Sequence, residues 1–246
     1  MTSSLLCLAV LLSSSPSASA GETPPEFHAR LERMRSTAAA LQQYTYTLYR
    51  HEWVDGQQAD PQEMAIKFRK PMDIYVVWTG DVYKGRELIY RQGWNNGKMR
   101  VHPTPGALIP SLNIAPDSRL AMRGSRNGIE LIDIGNVVDL ILAQTDRVEA
   151  NPDLQASFTD LGARMVNGEP SHCLKIELPK DKDPALYAYR VDMCISDETG
   201  LPNRLESWDF EDGAMRKVAH YEFRDLDTHV TLTDADFDPD NDAYGF

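Results

Sequence analysis

The chain has 246 residues, of which 42% are hydrophobic and 25% are charged, and its formal net charge is −12. This composition is typical of a soluble globular protein. An acidic chain of this kind has no overall positive charge for nucleic acid or an anionic membrane surface, so we expect no nucleic-acid partner.

The first 20 residues have the pattern of a cleaved secretory signal peptide. An apolar run at Leu5–Leu12 precedes a serine-rich stretch, and Ala18 and Ala20 are the small residues of a cleavage site. The run is far shorter than the ~20 residues that a membrane-spanning helix needs. We therefore expect an exported, periplasmic protein whose mature part, residues 21–246, is one domain without a transmembrane segment.

The mature part begins with a pattern typical of an amphipathic helix. Phe27, Leu31, Met34, Ala38 and Leu41 recur at spacings of three and four residues. This spacing places them along one apolar stripe of a helix, with charged residues on the other side.

Alternating or β-rich runs then predict a meander of adjacent antiparallel strands. One of them, residues 72–80, is apolar on both faces, so we expect it to be covered on both. The predicted strands of this first group lie at residues 44–54, 62–70, 72–80, 85–93 and 97–103.

The middle of the chain interrupts the strands. A proline-rich connection at residues 102–118 leads to a predicted helix at Ile129–Gln144, whose polar positions form only a narrow stripe. Such a helix must be buried on several sides. Strands return at residues 164–168, 173–179, 187–196, 202–210, 215–226 and 230–237. The sequence thus predicts an α+β fold with one long, curved antiparallel sheet.

One predicted hairpin carries two cysteines. A turn centred on Asp183–Pro184 places Cys173 opposite Cys194. In this register one face carries opposite charges and the other is apolar, and a shift of one residue would destroy both faces. The charged pairs are Lys175 with Asp192 and Glu177 with Arg190, and the apolar pairs are Leu174 with Met193, Ile176 with Val191 and Leu178 with Tyr189.

In an exported protein, Cys173 and Cys194 are expected to form a disulfide, which would add ~3 kcal/mol of stability. A metal site, a reactive dithiol and two free thiols are the alternatives, although only His172 lies nearby as a further ligand. The chain has no nucleotide-binding or serine-hydrolase motif and no paired histidines at metal-ligand spacing. We therefore expect no enzyme activity, no metal and no cofactor.

The acidic stretch Asp234–Asp242 has aspartate at alternate positions, and this spacing is typical of the ligands in a calcium loop. Pro239 and Gly245 stand where an EF-hand has glycine and glutamate. The alternative interpretation is a solvated acidic tail after the last strand.

The strongest signal is an excess of apolar and aromatic residues on one face of the sheet. This face either packs as a filled core or lines a concave cleft that the apolar helix closes as a plug. The candidate ligand-binding residues are Tyr46, Leu48, Ile66, Phe68, Ile74, Val76, Trp78, Leu88, Tyr90, Ile176 and Val191, and the candidate plug residues are Ile134, Val138, Leu140 and Ile141.

Two stretches carry a resemblance to a known family. The strand at Lys70–Trp78 reads K-P-x-x-I-Y-V-x-W, and the turn at Asp197–Glu206 reads DETGLPNRLE. With the order of elements, they make the chain similar to the outer-membrane lipoprotein-sorting superfamily and, more closely, to the family of the domain of unknown function 1571.

The resemblance implies an incomplete barrel of antiparallel strands with helices in its open side. It also implies a periplasmic carrier that holds lipid-modified cargo, with a strand arginine gripping the lid; Arg50, Arg69 and Arg91 all lie in suitable strands. We therefore expect a monomeric, non-enzymatic protein that binds a lipid, an acyl chain or a lipid-modified protein. The alternative is a periplasmic sensing or assembly module that binds an envelope protein, with its concavity filled.

Overall fold

A computed structural model of the protein describes residues 24–106 and 108–246. It confirms the predicted α+β class, with two α-helices and a large antiparallel sheet that is curved, open and half-barrel-like. The predicted signal peptide, residues 1–20, lies outside the described residues.

The helices and strands follow one another along the chain with three short 3-10 helices between them. The sheet order is β7-β6-β5-β4-β3-β1-β12-β11-β10-β9-β8, and β2 pairs with β1. The elements are α1 (Pro25–Ala40), β1 (Gln43–Val54), β2 (Gln57–Gln58), β3 (Gln62–Arg69), β4 (Asp73–Trp78), β5 (Glu87–Tyr90), β6 (Met99–His102), β7 (Leu112–Ile114), α2 (Ile134–Glu149), β8 (Ser157–Val166), β9 (Glu169–Glu177), β10 (Arg190–Ser196), β11 (Pro202–Glu211) and β12 (Ala214–Asp227), and the 3-10 helices are Asn95–Gly97, Ile129–Ile132 and Asp234–Phe237.

The apolar stripe of α1 is confirmed. Pro25 stands in the first turn, where its missing N–H costs nothing. The stripe residues are buried in the main core between the helices and the concave face of the sheet, and α1 contacts α2. The buried residues of the stripe within the helix are Phe27, Leu31, Met34 and Ala38.

Strand β4 is covered on both faces, as its sequence predicts. Ile74 and Val76 belong to the main core on the concave side. Tyr75 belongs to a separate small cluster with Ile89 and Phe237. Because Phe237 comes from the chain's C-terminal segment, that segment forms the second cover.

The predicted limits of the apolar helix, Ile129–Gln144, are wrong at both ends. Residues Ile129–Ile132 form a 3-10 helix, and α2 begins at Ile134 and extends to Glu149. The cause is Asp133, whose carboxylate accepts a hydrogen bond from the Gly135 N–H and so caps the new helix.

The predicted final strand, residues 230–237, is also wrong. Its end is the 3-10 helix Asp234–Phe237, and Phe237 is fully buried. Asp236 receives a hydrogen bond of 2.6 Å from the Lys67 ammonium group. Asp236 and Phe237 therefore attach this acidic stretch to the sheet, whereas Asp234, Asp238, Asp240 and Asp242 remain exposed.

The sequence does not predict the edge strand β7, and it predicts only the end of the edge strand β8. β7 lies inside the proline-rich connection, and its three residues are too few to show alternation. β8 was predicted only at its end, because a bulge between Asp160 and Gly162 breaks its alternation. Both strands bound the sheet.

The predicted hairpin register is confirmed, and Cys173 and Cys194 form a disulfide. The charged side chains, however, pair along their own strands: Lys175 with Glu177 at 3.1 Å, and Arg190 with Asp192. Residues two apart in a strand share a face, so these long side chains reach either neighbour. The ring of Tyr189 packs against Phe210, whereas Leu178 packs with Leu186.

Candidate functional site

A cavity of about 90 Å³ lies between α2 and the strands β1 and β9–β12. We call it the α2 cavity. Most of its wall is aliphatic, and its polar groups are few. Its lining residues are Leu48, Arg50, Glu52, Asn127, Gly128, Leu131, Ile132, Val137, Leu140, Ile141, Gln144, Thr145, Ile176, Leu178, Tyr187, Val191, Leu205, Ser207, Tyr221 and Phe223.

A second cavity of about 90 Å³ lies over β3–β6, beneath the connection that follows β7. We call it the loop cavity. Its lining residues are Arg50, Met64, Val76, Trp78, Leu88, Met99, Pro116, Ala121, Met122, Ser125, Asn127, Gly128, Ile129 and Ile132.

The two cavities share part of their walls. Arg50, Asn127, Gly128 and Ile132 line both of them. Three of these four residues lie close together in the chain, just before α2. This short stretch therefore lies between the two cavities.

The chain before α2 is tied to the sheet through the inward side chains of β1. The Tyr44 hydroxyl donates to Asp133 Oδ1 at 2.8 Å and accepts from the Ile134 N–H at 2.8 Å. The Tyr46 hydroxyl donates to the Ile132 carbonyl at 2.6 Å. Burial raises the pKa of both tyrosines well above its ordinary value, so both remain hydrogen-bond donors.

The same strand holds the chain further upstream. Arg50 Nη1 donates to Ser125 Oγ at 3.0 Å. The buried carboxylate of Glu52 accepts from the Arg126 N–H at 3.3 Å and from the Tyr221 hydroxyl. We call residues 125–134, which β1 holds in this way, the anchored segment.

A tyrosine pair completes this polar wall. Asn127 Nδ2 donates to the hydroxyl of Tyr221 at 2.6 Å and to that of Tyr187 at 3.1 Å. The side-chain Oε1 of Gln144 on α2 accepts from the Tyr187 N–H at 2.8 Å. Burial is the main cause that raises the pKa of both tyrosines. Their hydroxyls are therefore neutral groups at one end of an apolar cavity.

Arg50 is the arginine that faces the concavity. Besides Ser125, its guanidinium donates to Gln62 Oε1 at 3.0 Å. Its Nε atom is buried and has no hydrogen-bond partner among the described residues. Arg69 and Arg91 form ion pairs with Asp73 and Asp234, away from the anchored segment.

The predicted concave residues divide into cavity lining and closed core. Leu48, Ile176 and Val191 line the α2 cavity together with Leu140 and Ile141 of the helix. Val76, Trp78 and Leu88 line the loop cavity. The remaining predicted residues pack in the main core instead; they are Tyr46, Ile66, Phe68, Ile74, Tyr90, Ile134 and Val138.

Several cavity residues were not predicted, namely Glu52, Asn127, Tyr187 and Tyr221. Glu52 follows Tyr44, Tyr46, Leu48 and Arg50 at every second position of β1, so strand alternation would have found it. The other three come from distant parts of the chain, and no local pattern marks them.

The wall offers hydrogen bonds and apolar contact. Glu52, Asn127, Tyr187 and Tyr221 are linked by hydrogen bonds, and most of the remaining surface is apolar. Within residues 24–106 and 108–246, no cluster of three or more histidine, cysteine or acidic side chains has the geometry to hold a metal ion. In the same ranges, neither α-helix has the length and apolar character required to cross a bilayer.

The sequence as a whole matches one protein family. The family described as "Protein of unknown function (DUF1571)" matches residues 41–246, which confirms the resemblance found in the sequence. No curated protein matches the chain.

Solved structures with a similar fold include two mycobacterial proteins. Lipoprotein LppX from Mycobacterium tuberculosis shares 11% identity over 86% of this chain and 100% of its own, with a TM-score of 0.49. LprF from Mycobacterium bovis shares 11% identity over 85% of this chain and 97% of its own, with a TM-score of 0.48.

A third similar structure is a LolA superfamily protein from Nitrosomonas europaea. It shares 11% identity over 86% of this chain and 96% of its own, with a TM-score of 0.36. At such identities, these similarities concern the fold alone.

Proposed function

The chain belongs to the DUF1571 family, and we propose that it is an exported, non-enzymatic protein that binds an apolar ligand in its concavity. The ligand class is a lipid, or the acyl chain of a lipid or lipid-modified protein, carried within the cell envelope. The observation that supports this proposal is the α2 cavity, which has aliphatic walls and lies between a helix and an open sheet.

The size of the cavity determines how a ligand would enter. An engineered apolar cavity of ~150 Å³ takes up benzene, and drug-sized ligands need ~300–1,000 Å³. The α2 cavity holds about 90 Å³, which is too small for a complete acyl chain. Binding therefore requires that the N-terminal end of α2 and the anchored segment move away from the sheet.

Arg50 is the residue that we propose for the polar end of the ligand. It lies between the two cavities and has one buried donor, Nε, without a partner among the described residues. Buried unsatisfied donors are rare and costly, so an acceptor at this position would be stabilising. An acyl carbonyl or carboxylate oxygen supplies one. The resemblance to lipoprotein carriers implies that a strand arginine grips the lid. Among the three candidates, we propose Arg50 for this role.

The test is uptake of a fluorescent fatty acid by the protein and by variants that fill the cavity. Ile141 lines the α2 cavity, so Ile141→Trp should abolish uptake or weaken it at least about tenfold. Ala143 is an exposed residue of the same helix, and Ala143→Trp is the matched control. No uptake by the unmodified protein, or equal uptake by both variants, would contradict the proposal.

A protein-binding module is the second candidate function. The observation in its favour is that seven of the predicted concave and plug residues pack in closed core rather than in a cavity. Native mass spectrometry of protein isolated from its own periplasm distinguishes the two. A co-purifying lipid on a monomer supports the carrier, whereas a co-purifying envelope protein without lipid supports the module.

A further inference from the structure

Residues 103–123, which comprise the short edge strand β7 and the irregular segments on either side of it, form a surface that we call the basic apolar loop. Ala107 alone within it is not described. Four of the eight large hydrophobic side chains that the described residues expose belong to this loop. They are Leu108 (102% exposed), Ile109 (56%), Leu112 (39%) and Leu120 (55%).

The charge of this loop is opposite to that of the whole chain. It contains two arginines and one acidic residue, Asp117, whereas the chain has a net charge of −12. Arg119 and Arg123 are exposed, and neither forms an ion pair with any described residue. Positive charge without an internal partner remains available for an external anion.

The composition of the loop favours a bilayer over a protein partner. Its exposed apolar residues are all aliphatic, and they lie in the same stretch as two arginines without an internal ion pair, a combination that matches the acyl chains and phosphates of an anionic bilayer. Four prolines remove backbone N–H donors, which lowers the cost of placing irregular backbone near lipid. They are Pro103, Pro105, Pro110 and Pro116.

The loop also adjoins the candidate site. Pro116, Ala121 and Met122 line the loop cavity, whereas their neighbour Leu120 faces outward. One short stretch therefore forms part of the cavity wall and part of the exposed apolar surface.

We propose that the basic apolar loop is a membrane-binding surface, which inserts Leu108 and Ile109 into the interface of an anionic lipid bilayer. Arg119 and Arg123 pair there with lipid phosphates, as basic residues do at anionic leaflets. Docking in this way places the loop cavity next to the bilayer. This inference goes beyond ligand binding, because it assigns a surface rather than the concavity.

The test is co-sedimentation of the ligand-free protein with vesicles. Vesicles of phosphatidylcholine alone are compared with vesicles that contain about one quarter phosphatidylglycerol, at low and high salt. We expect sedimentation with the anionic vesicles and release by salt. The double variant Leu108→Ser, Ile109→Ser should bind at least about tenfold more weakly, because it loses the inserted aliphatic groups.

Met165 supplies the matched control, since it is 66% exposed but lies on β8, at the other edge of the sheet. Met165→Ser should sediment like the unmodified protein. The proposal is overturned if the unmodified protein stays in the supernatant with both vesicle types, if the double variant binds normally, or if Met165→Ser loses as much binding. Because no ligand is present, each outcome is independent of fatty-acid uptake.

Discussion

The strongest test of the anchored segment is the substitution Tyr44→Phe, which removes one buried hydroxyl and leaves the ring. That hydroxyl donates to Asp133 Oδ1 and accepts from the Ile134 N–H, both at 2.8 Å. Asp133 retains its hydrogen bond from Gly135, so α2 keeps its cap. The Ile134 N–H is left without its partner at the start of the helix.

The structure sets the expected magnitude. A buried group that loses its partner costs ~1–3 kcal/mol, so we expect Tyr44→Phe to lower the free energy of unfolding by about 2 kcal/mol. Tyr46→Phe removes the hydroxyl that donates to the Ile132 carbonyl, and it should lower the free energy of unfolding by about 1 kcal/mol. If a ligand binds only when the segment is released, a change of ~2 kcal/mol in that equilibrium raises its apparent affinity about 30-fold.

Urea unfolding measures the first quantity, and hydrogen exchange at the Ile134 amide measures local release of the segment. Tyr90→Phe is the control, because Tyr90 is partly buried against the same core and its hydroxyl has no partner among the described residues. It should cost less than about 0.5 kcal/mol. The reasoning is refuted if Tyr44→Phe is as mild as this control and leaves exchange at Ile134 unchanged.

Two further predictions concern the convex side of the sheet. Replacing Cys173 and Cys194 together by serine should lower the free energy of unfolding by ~3 kcal/mol, because the bond closes a loop of 21 residues; equal urea midpoints with and without the bond would contradict this. The Glu206 carboxylate, followed by Glu222, raises the pKa of His220, so His220 stabilises the fold fully below pH ~6.5 and loses this contribution as pH rises through the raised pKa. In His220→Gln, stability should no longer fall across that pH window, and a slope equal to that of the unmodified protein would count against the assignment.

Local patterns in the sequence predict the parts of this fold in which the spacing of apolar side chains determines the helix face or the strand register. The stripe of α1 and the register of the cysteine hairpin follow from side-chain periodicity, because a shift of one residue would expose an apolar face. The start of α2 does not follow from it. Asp133 fits a polar stripe as well as a cap, and only its contacts with Tyr44 and Gly135 distinguish the two.

The part of the candidate site that lies on β1 can be predicted from side-chain periodicity, whereas the part from distant segments cannot. The inward positions of β1 read Tyr44, Tyr46, Leu48, Arg50 and Glu52, so alternation reveals the polar row as soon as it is followed to the end of the strand. Tyr187, Tyr221 and Asn127 meet that row only after the sheet curves. Contacts between residues so far apart in the chain leave no signal in any local window.

The contacts on the two arms of the sheet indicate which part of the molecule moves when a ligand enters. The disulfide joins β9 to β10 on one arm, and the buried Phe237 covers β4 and β5 on the other. The C-terminal half of α2 is also fixed, because Val148 packs in a buried cluster with Ile176 and Leu178 of the sheet arm. The N-terminal end of α2 is held instead by the hydrogen bonds that Tyr44 and Tyr46 make with residues 132–134. We therefore expect the anchored segment and the N-terminal end of α2 to move outward when these hydrogen bonds open, while the sheet keeps its shape.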